Sequence, residues 1–135
     1  MKNQIINYTE REECVLLVDY LNLLKMQGKV MLFTHTAQET YTTSWSQKMK
    51  NKQMGVNKGF PDYVVITDGF TLFLEMKRKR GGTVSPEQKE WHEALAKTGQ
   101  RVMVCRGFDE AKEFIDLHIA MRRFFKKRRC NGNNH

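Results

Sequence analysis

The sequence predicts an α/β (α+β) fold in which a mixed central β-sheet is flanked by helices, and three observations carry that prediction. Helical patterns open and close the chain and another begins at Ser85, between runs that favour strands. The junction between two of those runs is Asp68-Gly69, the strongest short hairpin signal. At 135 residues the chain is long enough for one core and too short for two comfortable ones. A single domain over residues 1–128 is therefore expected, with 129–135 as a frayed tail.

Thr9 followed by Glu12 has the spacing of a helix capping box, and the run from Glu10 to about Gln27 places Val15, Leu17, Leu21 and Leu24 near one stripe. Gly28 ends it naturally. Val30 to Thr34 is a short β-rich run. Ala37 to Gly59 is polar, basic and weakly patterned, and reads as a mobile loop. Tyr63 to Thr67 and Phe70 to Lys77 favour strands on either side of Asp68-Gly69. Ser85-Pro86-Glu87-Gln88 opens a helix, with Ser85 as cap, Pro86 in the first position and Gln88 in the reciprocal place; Gly99 closes it. Arg101 to Arg106 reads as a strand. Asp109 to about Arg128 reads as an amphipathic helix with Ala111, Phe114, Ile115, His118, Met121 and Phe125 inward.

Composition narrows the function. With 40% hydrophobic and 28% charged residues, wholesale disorder is excluded. Lys and Arg outnumber Asp and Glu by 23 to 15, and the excess gathers in Lys48, Lys50, Lys52 and Lys58, in Arg78, Lys79 and Arg80, and in Arg122 to Arg129. Such a surface suits a polyanion, although a solvated face has the same composition. Cys14, Cys105 and Cys130 are odd in number and lack metal-site spacing, which fits reduced thiols in a cytosol. No run approaches the roughly 20 apolar residues that cross a bilayer, and no signal-peptide segment opens the chain. A cytoplasmic protein that meets no membrane is expected.

If Asp68-Gly69 is a two-residue turn, Thr67 pairs with Phe70, and counting outward sets Val65 opposite Leu72 and Asp62 opposite Glu75. Directly opposed residues have Cβ atoms about 4.5–5.5 Å apart, where like charges destabilise. Something positive belongs between them. Lys77, two residues beyond Glu75, turns to the same face and is one candidate. A divalent cation is the other, and oxygen-rich sites with two carboxylates suit Mg²⁺ or Mn²⁺. The plain alternative is an Asp62 that caps a turn after Pro61 beside a solvent-facing Glu75–Lys77 ion pair. His35 and Glu39 follow the first strand and read as structural. Trp91, Phe114 and Phe125 read as core.

Gly59-Phe60-Pro61-Asp62, then Leu72-Phe73-Leu74-Glu75-Met76-Lys77, then Ser85-Pro86-Glu87-Gln88 with Trp91, resemble the VRR-NUC family within the PD-(D/E)XK nuclease superfamily. The resemblance runs from about Glu10 to Ala111. It implies a restriction-endonuclease-like αβββαβ core plus a C-terminal helix. It also implies that Asp62 and Glu75 are metal ligands with the carbonyl of Met76 as a third, and that Lys77 is the catalytic lysine. Gln88 would lie near the site and Glu10 would be the acid from the first helix. Glu12 and Glu13 leave that last assignment open, and Gln88 equally completes a capping box.

The expected activity is metal-dependent hydrolysis of DNA phosphodiester bonds. Compact members of the family are phage and bacterial proteins, so the resemblance implies a homodimer that cuts branched DNA such as Holliday junctions inside a bacterial host cell. A monomeric nickase or flap nuclease is one alternative. A non-catalytic basic DNA-binding module is another.

Overall fold

The computed structural model describes residues 7–36 and 43–131, with the backbone alone for 125–131. The elements run α1 (Glu10–Met26), β1 (Leu32–His35), α2 (Trp45–Gln53), β2 (Tyr63–Thr67), β3 (Phe70–Lys77), α3 (Pro86–Lys97), β4 (Arg101–Arg106) and α4 (Phe108–Asn131). The strands form one sheet in the order β1-β2-β3-β4, antiparallel except for the parallel β3–β4 pair that α3 connects. The expected mixed sheet flanked by helices is present.

Alternation along the strands sorts the two faces of the sheet. Val65, Leu72, Leu74, Met76 and Cys105 face α1 and α4 and are sealed from water, together with Leu17, Leu21, Leu24, Ala111 and Ile115. Each buried Val, Leu, Ile or Met among them contributes about 1.5–3 kcal/mol, which makes this face the stabilising one. Thr71, Phe73, Glu75 and Lys77 point to the other face, against which α3 packs.

Several boundaries and faces differ from expectation. Val15 is 52% exposed because it precedes Leu17 by two residues, about 200° round a helix, while Glu13 takes the inward place one turn before Leu17. Strand β1 begins at Leu32, not Val30: the amides of Lys29 and Val30 both bond to Leu24 O, so Val30 closes the helix end and is buried there. On α4, Ala111 and Ile115 are buried and Phe114 and His118 half-buried, but Met121 is 41% exposed. Ile119 packs on the core instead, and Phe125's side chain lies outside the described residues.

The stretch read as a loop contains α2. Ser44 caps it by accepting from the Gln47 amide, and Gln47 Nε2 donates to Asn51 Oδ1 at 2.9 Å. No residue of α2 is buried, so it carries no apolar stripe for a periodicity argument to find. Residues 37–42, with Glu39, lie outside the described residues, as do 132–135; α4 itself continues through Asn131 into the stretch expected to fray. Among the described residues no helix is long and apolar enough to cross a membrane.

Candidate active site

The hairpin sets the register of the site. Thr67 pairs with Phe70 and Tyr63 with Leu74, which brings Asp62 level with Glu75. Gly69 adopts φ +98° while Asp68 stays at negative φ, so the turn differs from the doubly left-handed form yet delivers the expected pairing. Arg122 holds the turn from outside, with Nη2 3.2 Å from Asp68 Oδ1.

Asp62 enters from a short segment clipped on both sides. Gly59 has φ +93° and lies so close to α3 that a Cβ there would sit 2.5 Å from the Glu87 carbonyl carbon. Phe60 meets Phe73 and Trp91 edge-on, at 5.9 and 5.0 Å between ring centroids, and Trp91 Nε1 donates to Lys58 O at 2.8 Å. Beyond the buried Pro61, the Thr36 amide donates to Asp62 O at 2.8 Å. These contacts account for the Gly-Phe-Pro-Asp order: a glycine for close approach, an aromatic anchor, a rigid proline, then the acid.

The Met76 amide donates to Asp62 Oδ2 at 2.8 Å, turning that carboxylate toward β3. Glu75 is 1% exposed. Its Oε1 accepts from Gln88 Nε2 at 2.6 Å and lies 3.3 Å from Lys77 Nζ. Its Oε2 is buried and meets no protein donor, and the Asp62 carboxyl lies close enough to the Glu75 carboxyl for the two acids to share a proton. Burial and then the charge of Asp62 push the Glu75 carboxyl up to about 7, against the downward pull of Lys77. Gly82 fixes the lysine by folding back on its stem, where an added Cβ would stand 3.3 Å from Lys77 Cβ. Two acids, an unspent buried oxygen and an ammonium are thus gathered at one corner of the sheet.

The family model of the VRR-NUC domain matches residues 4–109. The chain belongs to the VRR-NUC family. A solved structure described as a VRR_NUC domain protein aligns with a TM-score of 0.64 at 26% identity, covering 82% of this chain and 88% of that one. No curated protein matches the chain. Membership gives the protein a nuclease-type, DNA-processing function, and the matched segment ends at the start of α4.

In this VRR-NUC domain the other expected site residues are distributed unevenly. Gln88 does both things open to it: its backbone amide and side-chain oxygen complete the capping box with Ser85, while its Nε2 reaches Glu75. Glu10 lines an open groove of about 450 Å³ with Cys14, Val18, His35 and Tyr63, next in sequence to Asp62. Among the described residues no three His, Cys, Asp or Glu side chains are grouped to hold one ion, while burial and then the charges of Asp62 and Glu10, both near Cys14, raise the affinity of its thiol for a proton. Glu13 is buried and points elsewhere, accepting from the Phe108 amide at 2.6 Å.

The basic residues divide similarly. Lys48, Lys50 and Lys52 stand exposed on α2, Lys58 follows it, and Arg78 and Arg80 are exposed beyond β3. Lys79 is engaged, 3.6 Å from Glu13 and 3.7 Å from Asp109. One neighbour of the site escaped sequence reasoning. His92, one turn after Gln88 on α3, feels the charges of both Asp62 and Lys77. The i, i+4 spacing from Gln88 was the available signal.

Proposed function

We propose that the protein is a Mg²⁺- or Mn²⁺-dependent DNA endonuclease that acts as a homodimer on branched DNA. The observation that carries this reading is the opposition of Asp62 to Glu75 with Glu75 Oε2 buried and unpartnered. A sealed carboxylate facing a second acid is costly once ionised, and where Lys77 reaches only one of its oxygens a divalent cation relieves the rest in exchange for the proton. The donor set fits a hard divalent ion: the Asp62 and Glu75 carboxylates, with the Met76 carbonyl as a third oxygen.

Such an ion, when bound, supplies Lewis acidity toward a phosphodiester. The chain's own residues supply the rest. Gln88 holds Glu75 in one orientation and the Met76 amide does the same for Asp62. Lys77 places an ammonium where negative charge develops on the phosphate, or orients the attacking water. The cations of α2, with Lys58, Arg78 and Arg80, add phosphate contacts that give affinity without reading sequence, so the shape of the DNA selects the target. Symmetric cutting of a four-way junction needs two such sites. Met31, Leu32 and Ile66 leave apolar surface exposed at the β1 edge that suits a second copy.

Incubation with labelled four-way junction and Mn²⁺, beside flap and plain duplex substrates, tests this directly. Paired incisions across the junction are expected from the wild type and none from Asp62→Ala. Undiminished cutting by Asp62→Ala would end the proposal. Cleavage of flaps by a protein that is monomeric in light scattering would replace it with the nickase or flap reading.

A further inference from the structure

Among the described residues, Glu13 Oε1, Glu75 Oε2, His92 Nε2 and Arg122 Nε are buried without a hydrogen-bond partner. Buried polar groups are nearly always satisfied, so each exception calls for a cause. Glu13 Oε1 lies against Lys79 and the Arg122 guanidinium against Asp68. Glu75 Oε2 belongs to the proposed metal site. Of the four residues, His92 is the one whose side chain forms no ion pair.

Its surroundings suggest a cause. His92 shares a face of α3 with Gln88, which reaches Glu75. Burial lowers its proton affinity while the charges of Asp62 and Lys77 reach its ring, and the neutral imidazole so favoured offers one nitrogen lone pair. Lys77 has donors to spare: an ammonium carries three, and its ion pair is with Glu75 Oε1, the oxygen that Gln88 already occupies at 2.6 Å. When Glu75 turns toward a cation, Lys77 needs another acceptor.

We propose that His92 is a positioning residue for Lys77: its Nε2 lone pair accepts from the Lys77 ammonium in the assembled site and holds it beside the phosphate. The inference rests on the metal-dependent nuclease reading and deepens it. It requires the proton of the neutral ring to sit on Nδ1.

The test compares His92→Leu, which removes the acceptor, with His92→Gln, whose amide oxygen replaces it. On junction DNA with Mn²⁺, His92→Leu is expected to lose about 10- to 100-fold in kcat, the usual scale for residues that orient a metal site, with KM unchanged within about threefold. His92→Gln recovers most of the loss. A second readout needs no turnover: in ¹⁵N-histidine spectra His92 Nε2 is unprotonated, and its resonance shifts on Mg²⁺ addition in the wild type but not in Lys77→Met. A fully active His92→Leu, equal losses in both variants, or a protonated Nε2 overturns the assignment. An inactive Asp62→Ala beside a fully active His92→Leu removes the role of His92 alone, whereas an active Asp62→Ala removes the site itself.

Discussion

Glu13 and Glu75 are equally hidden from water, each 1% exposed, and are held in opposite ways. Glu13, at the junction of α1 and α4, meets only positive partners. The Phe108 amide at the start of α4 donates to Oε2 at 2.6 Å, and Lys79 Nζ lies 3.6 Å from Oε1. The latter distance is too long for a hydrogen bond but close enough for an ion pair. Glu75, at the corner of the sheet under α3, has one cation and one donor on the same oxygen, a second acid opposite, and its other oxygen empty-handed. Balanced burial ties elements together, whereas unbalanced burial stores an affinity for positive charge. On the proposed function, the first glutamate is architecture and the second is equipment.

The largest expected effect separates equipment from scaffold. Asp62→Ala and Lys77→Ala should each lower junction cleavage by about 10³-fold or more, beyond the 10²- to 10³-fold typical of losing one preorganised charge-stabilising donor. Both variants should remain folded by circular dichroism and keep DNA retention in a gel shift near wild type, with a lower melting temperature where Lys77→Ala leaves the buried Glu75 without its cation. Retained cleavage in either variant would break the contrast at its functional end.

Substitution of the two glutamates should then move stability in opposite directions. Glu13→Ala removes a charge-assisted bond to the α4 amide and leaves that amide without its acceptor, for a loss of about 1.5–3 kcal/mol in urea unfolding. Glu75→Gln relieves a buried acid facing another and should raise the stability of the metal-free protein above pH 7 while abolishing cleavage. Destabilisation by both would show that Glu75 is structural as well.

The pH dependence sharpens the same point. Burial and the facing Asp62 push the Glu75 carboxyl up from 4.5 to about 7, so the fold binds the proton more tightly than the unfolded chain does. Its favourable contribution is complete below pH 4.5 and is lost as pH rises through 7. Metal-free stability should therefore fall across that window, and Glu75→Gln should flatten the fall. Since the proposed cation would displace that proton, Mg²⁺ affinity should climb with pH up to about 7 and level off above it, as followed by calorimetry. An affinity independent of pH between 5 and 7 would mean that Glu75 is already ionised.

How much of this could be read in advance depends on range. The opposition of Asp62 and Glu75 was legible because a two-residue turn at Asp68-Gly69 fixes the register by counting, and the alternation of β3 then carries Lys77 to the same face. Both capping boxes were legible because each closes within four residues. Glu13 was ambiguous beside Glu10 because its decisive partner, Phe108, lies 95 residues away and no local pattern announces it. α2 was missed because it buries nothing, and His92 because its site-facing position depends on how α3 packs across the sheet.

The smallest effect tests whether one residue can serve both scaffold and equipment. Gln88 completes the α3 cap and holds Glu75; Ser85 only caps. Ser85→Ala and Gln88→Ala should therefore cost similar stability, about 1 kcal/mol each, since each removes one half of the same box. Their cleavage rates should diverge: Ser85→Ala within about threefold of wild type, Gln88→Ala down by about 10- to 100-fold as Glu75 loses its orienting donor. If the two variants cut equally well, the 2.6 Å contact between Gln88 and Glu75 is a packing accident and Gln88 belongs with Glu13, on the side of architecture.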